Sequence, residues 1–476
     1  MDSSLFRDTG QGYFEMARER NMRVPVRFFG SREILLDMGP EVLQQAANVA
    51  HLPGIRKASL MMPDAHWGYG FPIGGVAAFN PDQGGVISVG GIGYDIACGV
   101  RAMRTGMERS ALQGRLQELV DALYASVPAG LGSEGRIKLS ASKLDRLLEK
   151  GASWAVEKGY GEEADLNFIE DRGQMGGADP DKVSETAKKR QKHQLGTLGS
   201  GNHYLEIQYV DRIYDEGAAA SFGLFPEEVL VTIHSGSRGL GHQIGTDYVH
   251  HLSRAVARHN LSLPARELVC APIRSSEGQD FFRAMCCGVN SALANRQVLG
   301  HLARETFTRV IPQARLDLLY DVSHNTCKIE DHEVDGRTTR LYVHRKGATR
   351  AFGPESAEIP EAYRSTGQPV IIGGSMGTSS YILAGNSAEQ NTAWGSACHG
   401  AGRAMSRRKA TKTWTAKEVI GDMSRQGILI KATSKKGAAE EAPMAYKDVN
   451  LVVEATQNAG LARKVARMRP LACIKG

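Results

Sequence analysis

Asp95 and Cys98 stand three residues apart at the end of a glycine-dense stretch, 61–104. A carboxylate and a thiol this close can offer a hard oxygen and a soft sulfur to one borderline divalent ion. The bland alternative is a buried cysteine packed as a small hydrophobe. Four further junctions repeat the grammar, a Gly/Ser-rich loop carrying His, Cys or Asp. They are Gly199-Ser200-Gly201-Asn202-His203, His234-Ser235-Gly236-Ser237-Arg238, Asp321-Val322-Ser323-His324-Asn325 and Cys398-His399-Gly400-Ala401-Gly402. A lone His at a strand end is more often a hydrogen-bonded structural residue than a ligand. Five such junctions are hard to explain by packing. Together they hold enough donors for two divalent ions, with the thiolate able to bridge them. Zn²⁺ is the default for sulfur and imidazole, and Mn²⁺ tolerates the set when carboxylate and phosphate oxygens complete the shell. The loops GTLGSGN, SGSRG and GGSMGTSS add backbone N–H groups suited to phosphates. The residues alone therefore predict a metal-dependent phosphoryl or nucleotidyl enzyme.

The elements that must position these loops are readable in outline. Short strands are expected over 57–62, 75–79, 85–89, 99–105, 203–209, 229–234, 316–322 and 370–372, from short apolar runs bounded by turn residues. A hairpin is expected over 333–344, around Asp335-Gly336. Helical patterns cover 41–51, 107–127, 141–158, 181–192 and 241–259. A long amphipathic helix over 278–310 ends before Pro312, and a helix over 401–412 is expected to open directly after His399-Gly400. The acidic, glycine-rich run 161–180 reads as a mobile surface loop, and the tail 461–476 as basic and partly extended. Strands and helices mix without a βαβ rhythm and no linker interrupts them. The expected fold is α+β, one large compact domain over 1–476 with mixed sheets, surrounding helices and irregular topology.

Composition sets the outer bounds. The chain has 54 glycines in 476 residues, above the usual ~7%, which favours loop-built sites over a helical bundle. A net charge of +6 is compatible with a polyanionic partner and equally with an ordinary solvated surface. Seven cysteines without CxxC pairs predict reduced thiols and a cytoplasmic location. The opening residues show no secretory signal, and no run approaches ~18 apolar residues, so no membrane association is expected.

The motifs MPDAHWGYGFPIGG, GGIGYDIACGVR, QLGTLGSGNHYLEIQ, HSGSRGLGHQ, DVSHNTCKIE, HRKGATRAF, GSMGTSSYIL, HGAGRAMSR and AYKDV with a closing IKG run in order from about Pro63 to Gly476. Together they resemble the RtcB family of RNA-splicing ligases. That resemblance implies an enzyme of tRNA splicing and RNA repair. It would join RNA 3′-phosphate or 2′,3′-cyclic phosphate ends to 5′-hydroxyl ends, using GTP and two Mn²⁺ ions through a covalent histidine–GMP intermediate. Asp95, Cys98 and His203 would hold one ion, and Cys98, His234 and His324 the other, with Cys98 shared. His399 would be the nucleophile. GMP would be bound by Asn202, His203, Tyr204, Leu205, Glu206, His324, Asn325, Gly373, Gly374, Ser375, Met376, Ser380, His399, Gly400, Ala401, Gly402 and Lys475. Arg190 and Arg238 are candidate RNA-phosphate contacts, while His66 and His242 are assigned structural or outer-shell roles. A monomer is expected, and an archease-type activator is among the partners the resemblance admits.

Four positions depart from the family's usual pattern. Ala97 stands where Asn is common, Val89 where Pro is common, Gly373 replaces the proline of PGSMG, and Trp67 replaces a more usual polar residue. Ala97 adjoins Cys98 and removes an amide that could hold substrate or water. The alternative expectation is therefore a specialised paralogue that guanylylates nucleic-acid 3′-phosphate ends with weak sealing.

Overall fold

The computed structural model describes residues 3–354 and 356–476. One sheet builds the floor of the site. Its strands run in the spatial order Asp317–Ser323, Gly99–Glu108, Glu228–Ser235, Tyr204–Ile213, Ala462–Lys475, Ser380–Gly385 and Pro369–Ile372, with Leu429–Ala432 added in parallel to Ala462–Lys475. A second sheet orders Phe6–Asp8, Phe14–Met16, Val26–Phe28, Ile55–His66, Ile73–Phe79, Arg337–Lys346 and Asn325–Val334. Sequence neighbours are repeatedly separated in space, so the α+β class with irregular topology holds. The hairpin around Asp335-Gly336 also forms, with positive φ at both turn residues.

The helix Ser276–Val310 is the spine of the molecule. Residues 284–300 are all buried, so its middle is covered on every side rather than amphipathic as the pattern suggested. The helices Leu116–Ser126, Ala141–Lys150, Ala152–Glu157 and Arg238–Arg258 pack around it. Its buried turns also carry Asn290, Asn295, Arg296 and Gln297, whose partners lie in the loops around it. Among the described residues no helix is long and apolar enough to cross a membrane. All seven cysteines are buried and free.

Several expected elements shift. The pattern over 107–127 divides: the strand continues to Glu108 and the helix begins only at Leu116. The helix over 141–158 breaks at Gly151, whose φ of 59° belongs to the left-handed region that glycine adopts without strain. The run 161–180 is packed rather than mobile. Asp165 is buried against Arg304 (2.9 Å) and Gln297 (2.7 Å), and Glu170 against Lys328 (2.8 Å). Buried acids are tolerated there because each has a cation or amide to meet it. The helix over 181–192 shortens to Glu185–Gln191, capped by Ser184. The helix placed over 401–412 starts only at Arg407, capped by Ser406.

The tail is extended as expected, and more fully than the pattern implied. Ala462–Lys475 is a 14-residue strand paired from Ala466 to Lys475 with Tyr204–Ile213 and along its first half with Ser380–Gly385. Truncating the chain before residue 462 should therefore abolish cooperative thermal unfolding and leave insoluble protein. A soluble truncation melting like the full chain would contradict this placement.

Candidate active site

The sheet order explains why ligands from distant sequence converge. Cys98 precedes the strand Gly99–Glu108, His203 precedes Tyr204–Ile213, His234 is near the end of Glu228–Ser235, and His324 follows Asp317–Ser323. The four strands are neighbours and successively antiparallel, so two starts and two ends lie on the same edge. Register fixes the alignment: Val100 and Tyr204 both pair with His234, and Gly99 pairs with Ser323. The backbone N–H of His324 donates to the Cys98 carbonyl at 2.8 Å.

At that edge the donors form two triads, Asp95-Cys98-His203 and Cys98-His234-His324, each with donor atoms within 4.8 Å of one another. Cys98 Sγ lies 3.2 Å from His203 Nε2 and 3.1 Å from His234 Nε2. His203 Nε2 is 2.9 Å from Asp95 Oδ2, and the Nε2 atoms of His234 and His324 are 3.1 Å apart. The opposite ring nitrogens set the tautomers. His203 Nδ1 donates to the Leu198 carbonyl at 2.9 Å and His234 Nδ1 to the Asn202 carbonyl at 3.0 Å, so each Nε2 is the ring nitrogen that would face an ion. Burial lowers the pKa of His234 and of His324 well below the ordinary histidine value, and neighbouring histidines push the same way. Crowded neutral imidazoles repel unless a cation stands between them. Burial, reinforced by Asp95, pushes the Cys98 thiol well above its usual range, and a divalent ion is what would ionise it. Burial also opposes ionisation of Asp95, but His203 and Arg238 together bring its pKa down to about 2. The donor set fits two divalent ions sharing one thiolate.

The backbone around this cluster is held from below. Arg296 Nη1 donates to the carbonyls of Ala97 (2.7 Å) and Ser235 (3.0 Å), and Nη2 to Ser323 Oγ (3.1 Å). These three residues adjoin Cys98, His234 and His324 in sequence. Asp321 balances the charge, accepting from Arg296 at 2.8 Å and from Arg101 at 2.8 Å. Asn295 donates to the Thr197 carbonyl (3.0 Å) and Ser235 Oγ (3.1 Å), and accepts from the Gly196 N–H (2.8 Å). The sequence reading missed both; a charged residue amid the apolar pattern of ALANRQVLG was the available signal.

His399 follows the short strand Ser396–Cys398, and its ring centroid lies 4.7 Å from that of His324. Its Nδ1 donates to Asp64 Oδ2 at 2.7 Å, and the same oxygen accepts the backbone N–H of His399 at 3.2 Å. Nε2 is left with its lone pair. Asp64 is fully buried and was not singled out from sequence, although an acid inside the apolar strand Ile55–His66 is itself a signal. Residues 400–406 do not open a helix. Gly402 takes φ of 74° where a Cβ would collide with the Asp64 carbonyl oxygen, and that irregular turn keeps the chain against the aspartate.

A cavity of about 840 Å³ joins the two clusters. Asp95, Cys98, His234, His324 and His399 border it, as do Asn202, Tyr204, Glu206, Asn325, Gly373, Gly374, Ser375, Met376, Gly400, Ala401, Gly402 and Lys475. His203 adjoins through the first triad. Leu205 and Ser380 do not border it. Leu205 points into the core between Tyr204 and Glu206, as strand alternation requires, and Ser380 Oγ accepts from Gln208 at 2.9 Å and from the Gly374 N–H at 3.1 Å. Lys475 is buried 3.7 Å from Glu441, a carboxylate missed from sequence that also meets Arg403 and Arg407 (each 3.3 Å). Burial raises the Glu206 pKa to about 8, against the pull of Lys475. His66 borders the cavity with Nδ1 on the Asp64 carbonyl (2.9 Å), and His242 is exposed, stacked on Tyr94. Arg238 is anchored to Thr197 at 3.1 Å and Arg190 is exposed; neither borders the cavity. Ala97 packs in the core, away from the cavity, and Val89 is likewise buried. A Cβ at Gly373 would stand 2.8 Å from the Tyr204 hydroxyl, so the missing proline leaves that hydroxyl its space.

Two outcomes follow from this geometry. Arg296→Met should weaken divalent-ion binding about 10- to 100-fold by calorimetry, because its partners orient three ligands; unchanged affinity in a folded variant would contradict that role. Glu206, with its pKa raised from 4.5 to about 8, holds a proton in the folded state that the unfolded state has released. Its contribution is therefore full below about pH 4.5 and is lost as pH rises towards 8. Glu206→Gln should flatten the decline of denaturation midpoints across that window, and parallel profiles would contradict the shift.

A family model described as tRNA-splicing ligase RtcB matches residues 45–476. A tRNA-splicing ligase RtcB of Thermococcus kodakarensis is 50% identical over 463 residues, covering 96% of each chain. That of Methanococcus maripaludis is 50% identical over 459 residues, covering 96% of this chain and 95% of its own. An RNA-splicing ligase RtcB of Mycobacterium tuberculosis is 49% identical over 434 residues, 91% of this chain and all of its own. With ligand triads, an aspartate-held histidine and this extent of similarity together, the chain belongs to the RtcB family.

Proposed function

We propose that the chain is an RNA ligase of tRNA splicing and RNA repair. It would use GTP and divalent ions, Mn²⁺ foremost, to join 3′-phosphate or 2′,3′-cyclic phosphate ends to 5′-hydroxyl ends. The observation that carries the reading is His399, with Nδ1 on Asp64 at 2.7 Å and its ring beside His324, in one cavity with both triads. A nucleophile, the group that orients it and a place for polyphosphate charge are adjacent. The names of the relatives support the ligase class and the RNA substrate.

In this scheme the His399 Nε2 lone pair attacks the α-phosphorus of GTP. A P–N bond forms, the P–O bond to pyrophosphate breaks, and the ring keeps its Nδ1 proton while the Asp64 carboxylate, accepting that hydrogen bond, stabilises the positive charge. An RNA 3′-phosphate oxygen next displaces the histidine, transferring GMP to the RNA end. The 5′-hydroxyl then attacks the 3′-phosphate and GMP leaves. A cyclic phosphate is first opened by water. Divalent ions at Asp95, Cys98, His203, His234 and His324 would supply positive charge for phosphate oxygens. Glu206 and Lys475 would read a purine edge, and Asn202, Gly373–Met376 and Gly400–Gly402, which border the same cavity, would line the nucleotide's bed. Arg403, Arg407, Arg408 and Lys447 border the same cavity and suit the RNA backbone.

Incubation with α-labelled GTP and Mn²⁺ should yield an acid-labile protein adduct, absent in His399→Ala and formed at least ~100-fold more slowly in Asp64→Asn. Adding RNA with cyclic-phosphate and 5′-hydroxyl ends should give sealed product. No adduct with any divalent ion would contradict the proposal.

A further inference from the structure

Trp67 is 68% exposed, and among the described residues it is the exposed large apolar side chain that borders the catalytic cavity. No other ring or polar partner engages its indole among those residues. The backbone carrying it is nonetheless fixed. Gln45, on the helix Pro40–Val49, donates to the Gly68 carbonyl at 2.6 Å and accepts the Gly68 N–H at 3.1 Å. A rigidly mounted, unpaired indole at the mouth of a site is costly to leave in water and well suited to receive a flat ligand. The same cavity is lined by Tyr69 and Tyr94, whose rings are 5.5 Å apart, and Tyr94 stacks on His242 at 5.2 Å. Arg403, Arg407, Arg408 and Lys447 supply cations on the cavity border, while Asp37 and Glu41 also lie on it. Aromatic faces with a cationic track are the pattern by which single strands are held: bases stack while phosphates follow the charge.

We propose that Trp67 is a stacking platform for an unpaired base of the RNA strand beside the end being joined, with the phosphates following the arginine side of the cavity. This rests on the RNA-ligase reading above and deepens it. Because stacking accepts every base, the platform would position strands without choosing sequence.

The test is equilibrium binding of a short single strand ending in a 3′-phosphate, by fluorescence anisotropy at fixed ionic strength without GTP. Trp67→Ala should weaken binding about tenfold, and Trp67→Phe should restore most of it. A single abasic nucleotide, stepped back from the 3′ end, should at one position weaken the wild type and leave Trp67→Ala unaffected. Unchanged binding in Trp67→Ala, or equal loss at every abasic position, would overturn the proposal. So would a wild-type dimer that Trp67→Ala dissolves while RNA binding stays the same, since a second copy would then cover the indole. The side chain is exposed, so both variants should melt with the wild type. The labelled-GTP adduct is assayed without RNA and this binding without GTP, so failure of one is distinguishable from failure of the other.

Discussion

One buried guanidinium underlies the site. Arg296 lies on the central helix Ser276–Val310, fully removed from water, and binds the backbone or hydroxyl of residues next to Cys98, His234 and His324. A buried charge is tolerated only when every donor is matched. Asp321 and the two carbonyls do so here, and the matching works in both directions. The loops hold the arginine, and the arginine holds the loops in an arrangement that satisfies it. Three strand ends that could fray independently thus become one rigid edge.

The second constraint joins sheets. Asp64 comes from a strand of the seven-stranded sheet, His399 follows a strand of a two-stranded ribbon, and the candidate ligands line the edge of the eight-stranded sheet. Hydrogen bonds from Nδ1 and from the backbone N–H of His399 to Asp64 Oδ2 set the ring's direction. The same irregular turn through Gly402 that displaces the expected helix keeps this contact close. The His399 ring is therefore oriented by packing between layers, as the proposed nucleophilic role requires.

Much of this was legible in residue types. Asp95, Cys98, His203, His234, His324 and His399 declared themselves because polar donors recur in glycine-rich junctions; neighbouring strands bring Cys98, His203, His234 and His324 together, while His399 arrives from a separate ribbon. Asp64 and Arg296 did not, since their meaning depends on which distant backbone they meet. Helix limits failed where tertiary demands override local pattern, at Gly151 and at the turn before Arg407. The run 161–180 looked like a solvated loop because its acids were visible and their partners Arg304 and Lys328 were far away in sequence. Leu205 and Ser380 were drawn into the nucleotide set by motif proximity, and strand alternation and the hydrogen bonds to Ser380 place them outside the cavity.

The central claim is that one thiol is common to two ion sites built on a single strand edge. Ion stoichiometry on the purified chain tests it most directly, counting tightly bound Mn²⁺ per molecule in the wild type and in ligand variants. The account predicts two ions in the wild type, one in Asp95→Ala, one in His324→Ala and none in Cys98→Ala. A Cys98→Ala chain that folds and keeps either ion at wild-type affinity would contradict it.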